Sequence, residues 1–202
     1  IRINSFVVGA SYFLGTLLGL FATMPLVSGF LEHGRIDLVL SKPLSRSRLL
    51  LGHLIGVWLT VLVLSTYLVG AVWLAMSLKT GLWVPGVLIT IPIITVMFAV
   101  MYSVILFLGV VTRSSGLGLV VAYGLVFVSI ILASHEAMVP VLSDTAALIF
   151  KGIYHTLPNF AEVVVILAQL VSQEAVTTWY PLISSLLFGG ALHALEIGRA
   201  HV

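Results

Sequence analysis

The chain has 202 residues, 60% of them hydrophobic and 8% charged, with a mean hydropathy of +1.23 and a formal net charge of +2. A soluble domain carries about a quarter charged residues, so this composition excludes a water-soluble fold and points to an integral membrane protein. The small net charge offers no broad basic face for nucleic acid, and the absence of cysteine removes disulfides, thiolate metal sites and cysteine nucleophiles.

The first predicted span covers residues 6–31, a stretch without a charged side chain. About 20 apolar residues suffice to cross a bilayer. Gly9, Gly15 and Gly19 give small faces where helices can approach closely, and Pro25 kinks the last turns. The chain begins at Ile1 with no signal peptide, and at least one further span is expected before it.

Residues 32–52, EHGRIDLVLSKPLSRSRLLLG, break the apolar pattern and hold four of the chain's nine Lys and Arg: Arg35, Lys42, Arg46 and Arg48. Glu32 and Asp37 lie among them, and His33 and His53 flank the segment. Residues 35–41 can form two helical turns with Ile36, Val39 and Leu40 on one side. Pro43 ends that helix near Ser41. Ser45 suits the N-cap of the next helix, whose first turn would put Arg46 and Arg48 at the headgroup level.

Four further spans are predicted, at residues 53–78, 82–111, 117–133 and 179–195. Lys79, Thr80 and Gly81 make the first connection. Pro92 lies inside the third span as a packing kink or a hinge. Residues 112–116, TRSSG, form a second short polar loop with Arg113. Residues 134–178 differ, carrying Glu136, Asp144, Lys151, Glu162 and Glu174 and broken at Pro140 and Pro158. Ala146, Ile149, Phe150, Ile153 and Leu157 recur at helical spacing, which fits a helix lying in the membrane interface. Residues 160–172 are too short to cross, so two interfacial or re-entrant helices are expected there. Trp179 and Tyr180 anchor the last span.

Loop charge gives the orientation. Arg35, Lys42, Arg46, Arg48 and Arg113 fall on one side, which the positive-inside rule places in the cytoplasm. Residues 134–178 are then external. The sequence holds no Gly-x-Ser-x-Gly, no His-Glu-x-x-His and no P-loop, so no catalytic or nucleotide site of its own is expected. No metal pair, cofactor site or nucleic-acid partner is expected either. His193, inside a span, is a candidate for function or a neutral histidine bonded to a neighbour. His135 beside Glu136 is either a proton-handling pair or a solvated loop tip.

The segment at 32–52 carries the specific signal. Its order is Glu32, Gly34, a short amphipathic helix with Asp37, then Leu40, Ser41, Pro43, Arg46 and Gly52. This resembles the type-2 ABC transporter permeases. Tyr154, Leu157, Pro158, Asn159 and Phe160 are similar to a Tyr-x-x-Leu-Pro-Asn segment before the last span in one branch of that family. Arg35 stands where Thr is common and His53 where Lys is common. The resemblance implies an all-α polytopic bundle with five visible spans of six, a cytoplasmic coupling helix and external interfacial helices, in the cytoplasmic (inner) membrane. It implies a permease subunit of an ATP-driven exporter, a separate ABC ATPase partner and a permease dimer. The coupling contact would be made by Glu32, Gly34, Arg35, Ile36, Asp37, Val39, Leu40, Pro43 and Arg46. A secondary transporter without an ATPase is the alternative; it would show an internal repeat with matched broken helices, which Pro25 and Pro92 do not supply. Residues 1–196 are expected to form one transmembrane domain. Residues 197–202, IGRAHV, resemble the translation of a sequencing-library adapter, with the family's basic tail expected in their place.

Overall fold

The computed structural model describes residues 2–31 and 46–200, without the side chains at the edges of those ranges. The described chain is all-helical: α1 (Arg2–Leu31), α2 (Arg46–Thr80), α3 (Gly86–Thr112), α4 (Ser115–Leu132), α5 (His135–Met138), a 3-10 turn (Val139–Val141), α6 (Asp144–Thr156), α7 (Val163–Ser172) and α8 (Tyr180–Ala200). Four of these, at Val8–Val27, Leu51–Thr80, Gly86–Thr112 and Ser115–Leu132, are long and apolar enough to cross a membrane. The expected fifth span lies in α8, which has 21 residues.

Local chemistry moves several predicted boundaries. Lys79 and Thr80 belong to α2, not to the turn. Thr80 Oγ1 donates to the Met76 carbonyl at 2.8 Å, and the Gly81 N–H reaches the Ser77 carbonyl at 2.9 Å. Gly81 then takes φ +72°, which glycine adopts without a Cβ penalty, and the helix stops. Pro85 occupies the N-cap position of α3, so that span begins at Gly86 and not at residue 82. The loop expected at 112–116 shrinks to Arg113 and Ser114. Arg113 is left-handed (φ 55°), and Ser114 Oγ accepts the Leu117 N–H at 3.3 Å, which starts α4 at Ser115.

The helix α3 is the centre of the bundle. It touches α1, α2, α4, α7 and α8, and Met97, Phe98, Met101, Tyr102, Ile105 and Leu106 are buried along it. It stays helical through Pro92, as a span packed among neighbours can. By contrast, α2 contacts only α3 and α8 to any extent, and Leu59, Val63, Tyr67 and Leu68 stand exposed on it. In lipid such a surface costs nothing; packing, close approach and polar bonds hold helices together instead. Of the three glycines expected to permit close approach in α1, two do so. A Cβ on Gly9 would lie 3.1 Å from Val164 and one on Gly19 would lie 3.3 Å from Phe98, whereas Gly15 has nothing within 4 Å. The tightest contact between two long spans is at Gly118 of α4, where a Cβ would meet the Ile105 carbonyl oxygen at 2.7 Å.

Residues 134–178 form three short helices and a 3-10 turn where two helices were expected. In α6 Tyr154 is buried, while α7 buries Val163, Ile166, Leu167 and Val171, chiefly against α1 and α3. With 10 residues, α7 spans about 15 Å, half a bilayer core.

Candidate coupling surface and its structural supports

Contacts along the helices sort their ends into two groups. At one end, Met24 of α1 approaches Gly116 of α4 at the distance a Cβ there would meet, 3.8 Å. His53 Nε2, two turns into α2, lies 2.8 Å from the Tyr102 hydroxyl in the second half of α3. The rings of Trp58 and His193 are 5.4 Å apart, which brings α2 to the last turns of α8. At the other end, Trp73 Nε1 donates to the Val84 carbonyl at 2.9 Å, and Tyr12 of α1 reaches Phe160. Leu31, where α1 ends, and Arg46, where α2 begins, therefore share an end of the bundle with Arg113.

This bracketing is what the structure says about the sequence-predicted site. Glu32, Gly34, Arg35, Ile36, Asp37, Val39, Leu40 and Pro43 lie outside the described residues, as do Ser41 and Lys42. Arg46 is the first residue of α2; the cap expected at Ser45 lies outside the described residues. Arg113 is exposed at the same end.

His193 is bonded to a neighbour on its own helix: its Nδ1 lies 2.9 Å from Glu196 Oε2. The helix α8 continues past the predicted end at Leu195 and so includes Glu196, which is buried. Among the described residues, no three His, Asp or Glu side chains come together as metal ligands.

The opposite end carries a polar knot built on the Tyr154–Phe160 segment. Pro158 stops the backbone from continuing α6, and Asn159 and Phe160 are buried. Three spans then satisfy the exposed backbone of this non-helical stretch. The Asn159 N–H donates to Ser185 Oγ of α8 at 3.0 Å, and Asn159 Nδ2 to Ser184 Oγ at 3.0 Å. The Ala161 N–H donates to Ser129 Oγ of α4 at 3.1 Å. Tyr12 of α1 donates to the Phe160 carbonyl at 3.0 Å, and its ring stacks on Phe160 at 4.5 Å. Non-helical backbone survives at membrane depth only with such partners. Tyr12, Ser129, Ser184 and Ser185 were missed as site residues; their signal was a hydroxyl inside an apolar span.

Ser185→Ala should therefore cost more than Ser184→Ala. The first leaves the buried Asn159 N–H without an acceptor, worth about 1–3 kcal/mol; the second removes one side-chain bond, worth about 1 kcal/mol. Unfolding of the detergent-solubilised variants measures the difference, and equal losses would contradict this assignment.

Beside the knot, His135 faces Glu162 and not Glu136. Its Nδ1 lies 3.2 Å from Glu162 Oε1, while Glu136 is exposed. The Tyr154 hydroxyl donates to Glu162 Oε2 at 2.8 Å, and the His135 ring stacks on Tyr154 at 4.1 Å. Burial pushes the Tyr154 hydroxyl well up from the ordinary tyrosine range, and its bond to Glu162 adds to that. It stays a donor at any physiological pH. Tyr180, the first residue of α8, stacks on Tyr154 at 5.7 Å and is hydrogen-bonded to His155.

A family model described as ABC-2 family transporter protein matches residues 4–192. The chain belongs to that family. No curated protein and no solved structure matches it. ABC-2 transporter proteins of this kind are membrane permeases of ABC transporters, generally without a catalytic site of their own and generally working with an ATPase subunit. The ABC-2 assignment and the apolar helices together make this a multi-pass membrane protein.

Proposed function

We propose that this chain is the permease subunit of an ATP-driven exporter in the cytoplasmic membrane, and that residues 32–46 are its coupling surface for a separate ABC ATPase. The observation that carries the reading is the membership of the ABC-2 family over residues 4–192. It is supported by the shared end of the bundle at which Leu31, Arg46 and Arg113 lie. A chain without a P-loop must receive work from outside. A short amphipathic helix, with Ile36, Val39 and Leu40 to bury and Arg35 and Asp37 to fix the register, is suited to receive it. The permease works as a dimer, for which the exposed apolar length of α2 leaves room beside lipid.

Two measurements test this. The chain has no cysteine, so single cysteines report topology. In intact cells an impermeant thiol reagent should label Ser143→Cys and leave Ser47→Cys unlabelled until the membrane is opened. Labelling of the first site only after opening, and of the second before it, overturns the orientation. Co-expressed with the Walker-containing ATPase encoded beside it, the tagged permease should co-purify with that subunit and stimulate its hydrolysis. A permease that transports without any ATPase would instead be a secondary transporter.

A further inference from the structure

The helices α1 and α2 flank the segment at 32–46, yet they scarcely touch each other, and both pack on α3. Of the four long spans α2 is the least buried. Its inward stripe is Leu54, Val57, Val61 and Ser65, spaced three and four residues apart. Polar bonds supplement that thin apolar contact. His53 Nε2 lies 2.8 Å from the Tyr102 hydroxyl, the Ser65 and Thr95 hydroxyls are 3.2 Å apart, and Trp73 Nε1 donates to the Val84 carbonyl at 2.9 Å. The His53–Tyr102 bond is the one of these nearest the start of α2, about two turns from Arg46.

That bond does not end at α3. Tyr102 is fully buried and His53 is half-buried. One turn back along α3, the Phe98 ring stacks on the Tyr102 ring at 5.7 Å. Phe98 in turn lies against Gly19 of α1, where a Cβ would come within 3.3 Å of its ring. His53, Tyr102, Phe98 and Gly19 therefore make one packed line from α2 through α3 to α1. The Tyr102 hydroxyl has left water and needs a partner, and in a dry interior its bond to His53 is stronger than the same bond in water.

We propose that this line is a brace for coupling: His53 and Tyr102 are positioning residues that make α1 and α2 move with α3 as one body. The inference rests on the reading of residues 32–46 as the coupling surface. Work delivered to that segment enters the bundle at Leu31 and Arg46, the ends of two helices that do not hold each other. Without a cross-tie, each helix would move by itself and the central helix would stay behind. A contiguous line of packed side chains and a hydrogen bond carries the displacement into α3.

Two readouts test it. Nitroxide labels at Leu18→Cys of α1 and Leu51→Cys of α2, both exposed positions, report the spread of distances between those helices in the permease alone. Tyr102→Phe keeps the ring on Phe98 and removes only the hydroxyl; it should broaden that distribution. Ser65→Ala, which removes the bond to Thr95, should leave it near wild type. An unchanged distribution in Tyr102→Phe overturns the brace, whatever the ATPase does. In the complex, Tyr102→Phe and His53→Leu should bind the ATPase as wild type does but lose the stimulation of its hydrolysis. His53→Gln, whose amide can meet the Tyr102 hydroxyl, should restore it. A merely structural role would lower the thermal stability of Ser65→Ala and Tyr102→Phe alike and leave stimulation intact in both. That outcome, or wild-type stimulation by His53→Leu, overturns the assignment. A wild-type permease that neither binds nor stimulates the ATPase overturns the coupling reading instead, and the label distances still judge the brace.

Discussion

Leu40→Asp is expected to abolish association with the ATPase while leaving the permease in the membrane. The substitution lies outside every described span, so insertion and accumulation should match wild type. Each of Ile36, Val39 and Leu40 contributes roughly 1.5–3 kcal/mol when fully buried against a partner. Replacing one of them with a carboxylate removes that gain and desolvates a charge, a cost of several kcal/mol unless the charge is paired. Together these exceed the ~1.4 kcal/mol that makes a tenfold change in affinity. Pull-down from membranes at matched expression should recover little ATPase, and permease-dependent stimulation of hydrolysis should vanish. Arg113→Ala, in the neighbouring loop, should reduce both only slightly. If Leu40→Asp binds and stimulates as wild type does, the segment at 32–46 is a topological anchor and nothing more.

The second large effect is expected at Gly118. A Cβ there would sit 2.7 Å from the Ile105 carbonyl oxygen and 2.9 Å from the Ile105 Cα. Both are backbone atoms of α3, so no side chain can swing aside to make room. Gly118→Ala must therefore push α4 off the central helix, at a cost of about 1–3 kcal/mol, and Gly118→Leu should prevent a stable bundle. Gly124, on the same helix, has nothing within 4 Å, and Gly124→Ala should be neutral or slightly stabilising because alanine is the better helix former by up to about 1 kcal/mol. Thermal aggregation of the purified variants in detergent separates the two. Equal behaviour would show that the α3–α4 approach has slack.

Hydropathy made the spans legible because twenty uncharged residues have few other uses. Their ends were less so. The stops at Gly81 and Ser114 are set by one backbone angle and one capping hydroxyl, and nearby polar letters such as Lys79 or Ser115 read as loop although they continue helix. The segment at 154–160 was visible as a family-like motif, but its role was not. Its partners, Tyr12, Ser129, Ser184 and Ser185, come from three other helices, and a hydroxyl in an apolar span does not say which backbone group it will meet. His135 shows the same limit, since the sequence offers Glu136 beside it while the fold supplies Glu162. The segment proposed for coupling was the reverse case: a strong pattern in the sequence, on residues that lie outside the described structure.

The knot at Asn159 and Phe160 also bears on how the protein is made. Translation delivers α3 long before α8, yet α8 packs closely on α3 at Gly189, where a Cβ would lie 2.9 Å from Val100. The Asn159 N–H likewise waits for Ser185. Until the last helix has docked, the Asn159 N–H lacks its acceptor and α3 lacks one of its neighbours. The contacts that close the bundle at this end thus join residues more than twenty positions apart and form only once α8 is in place.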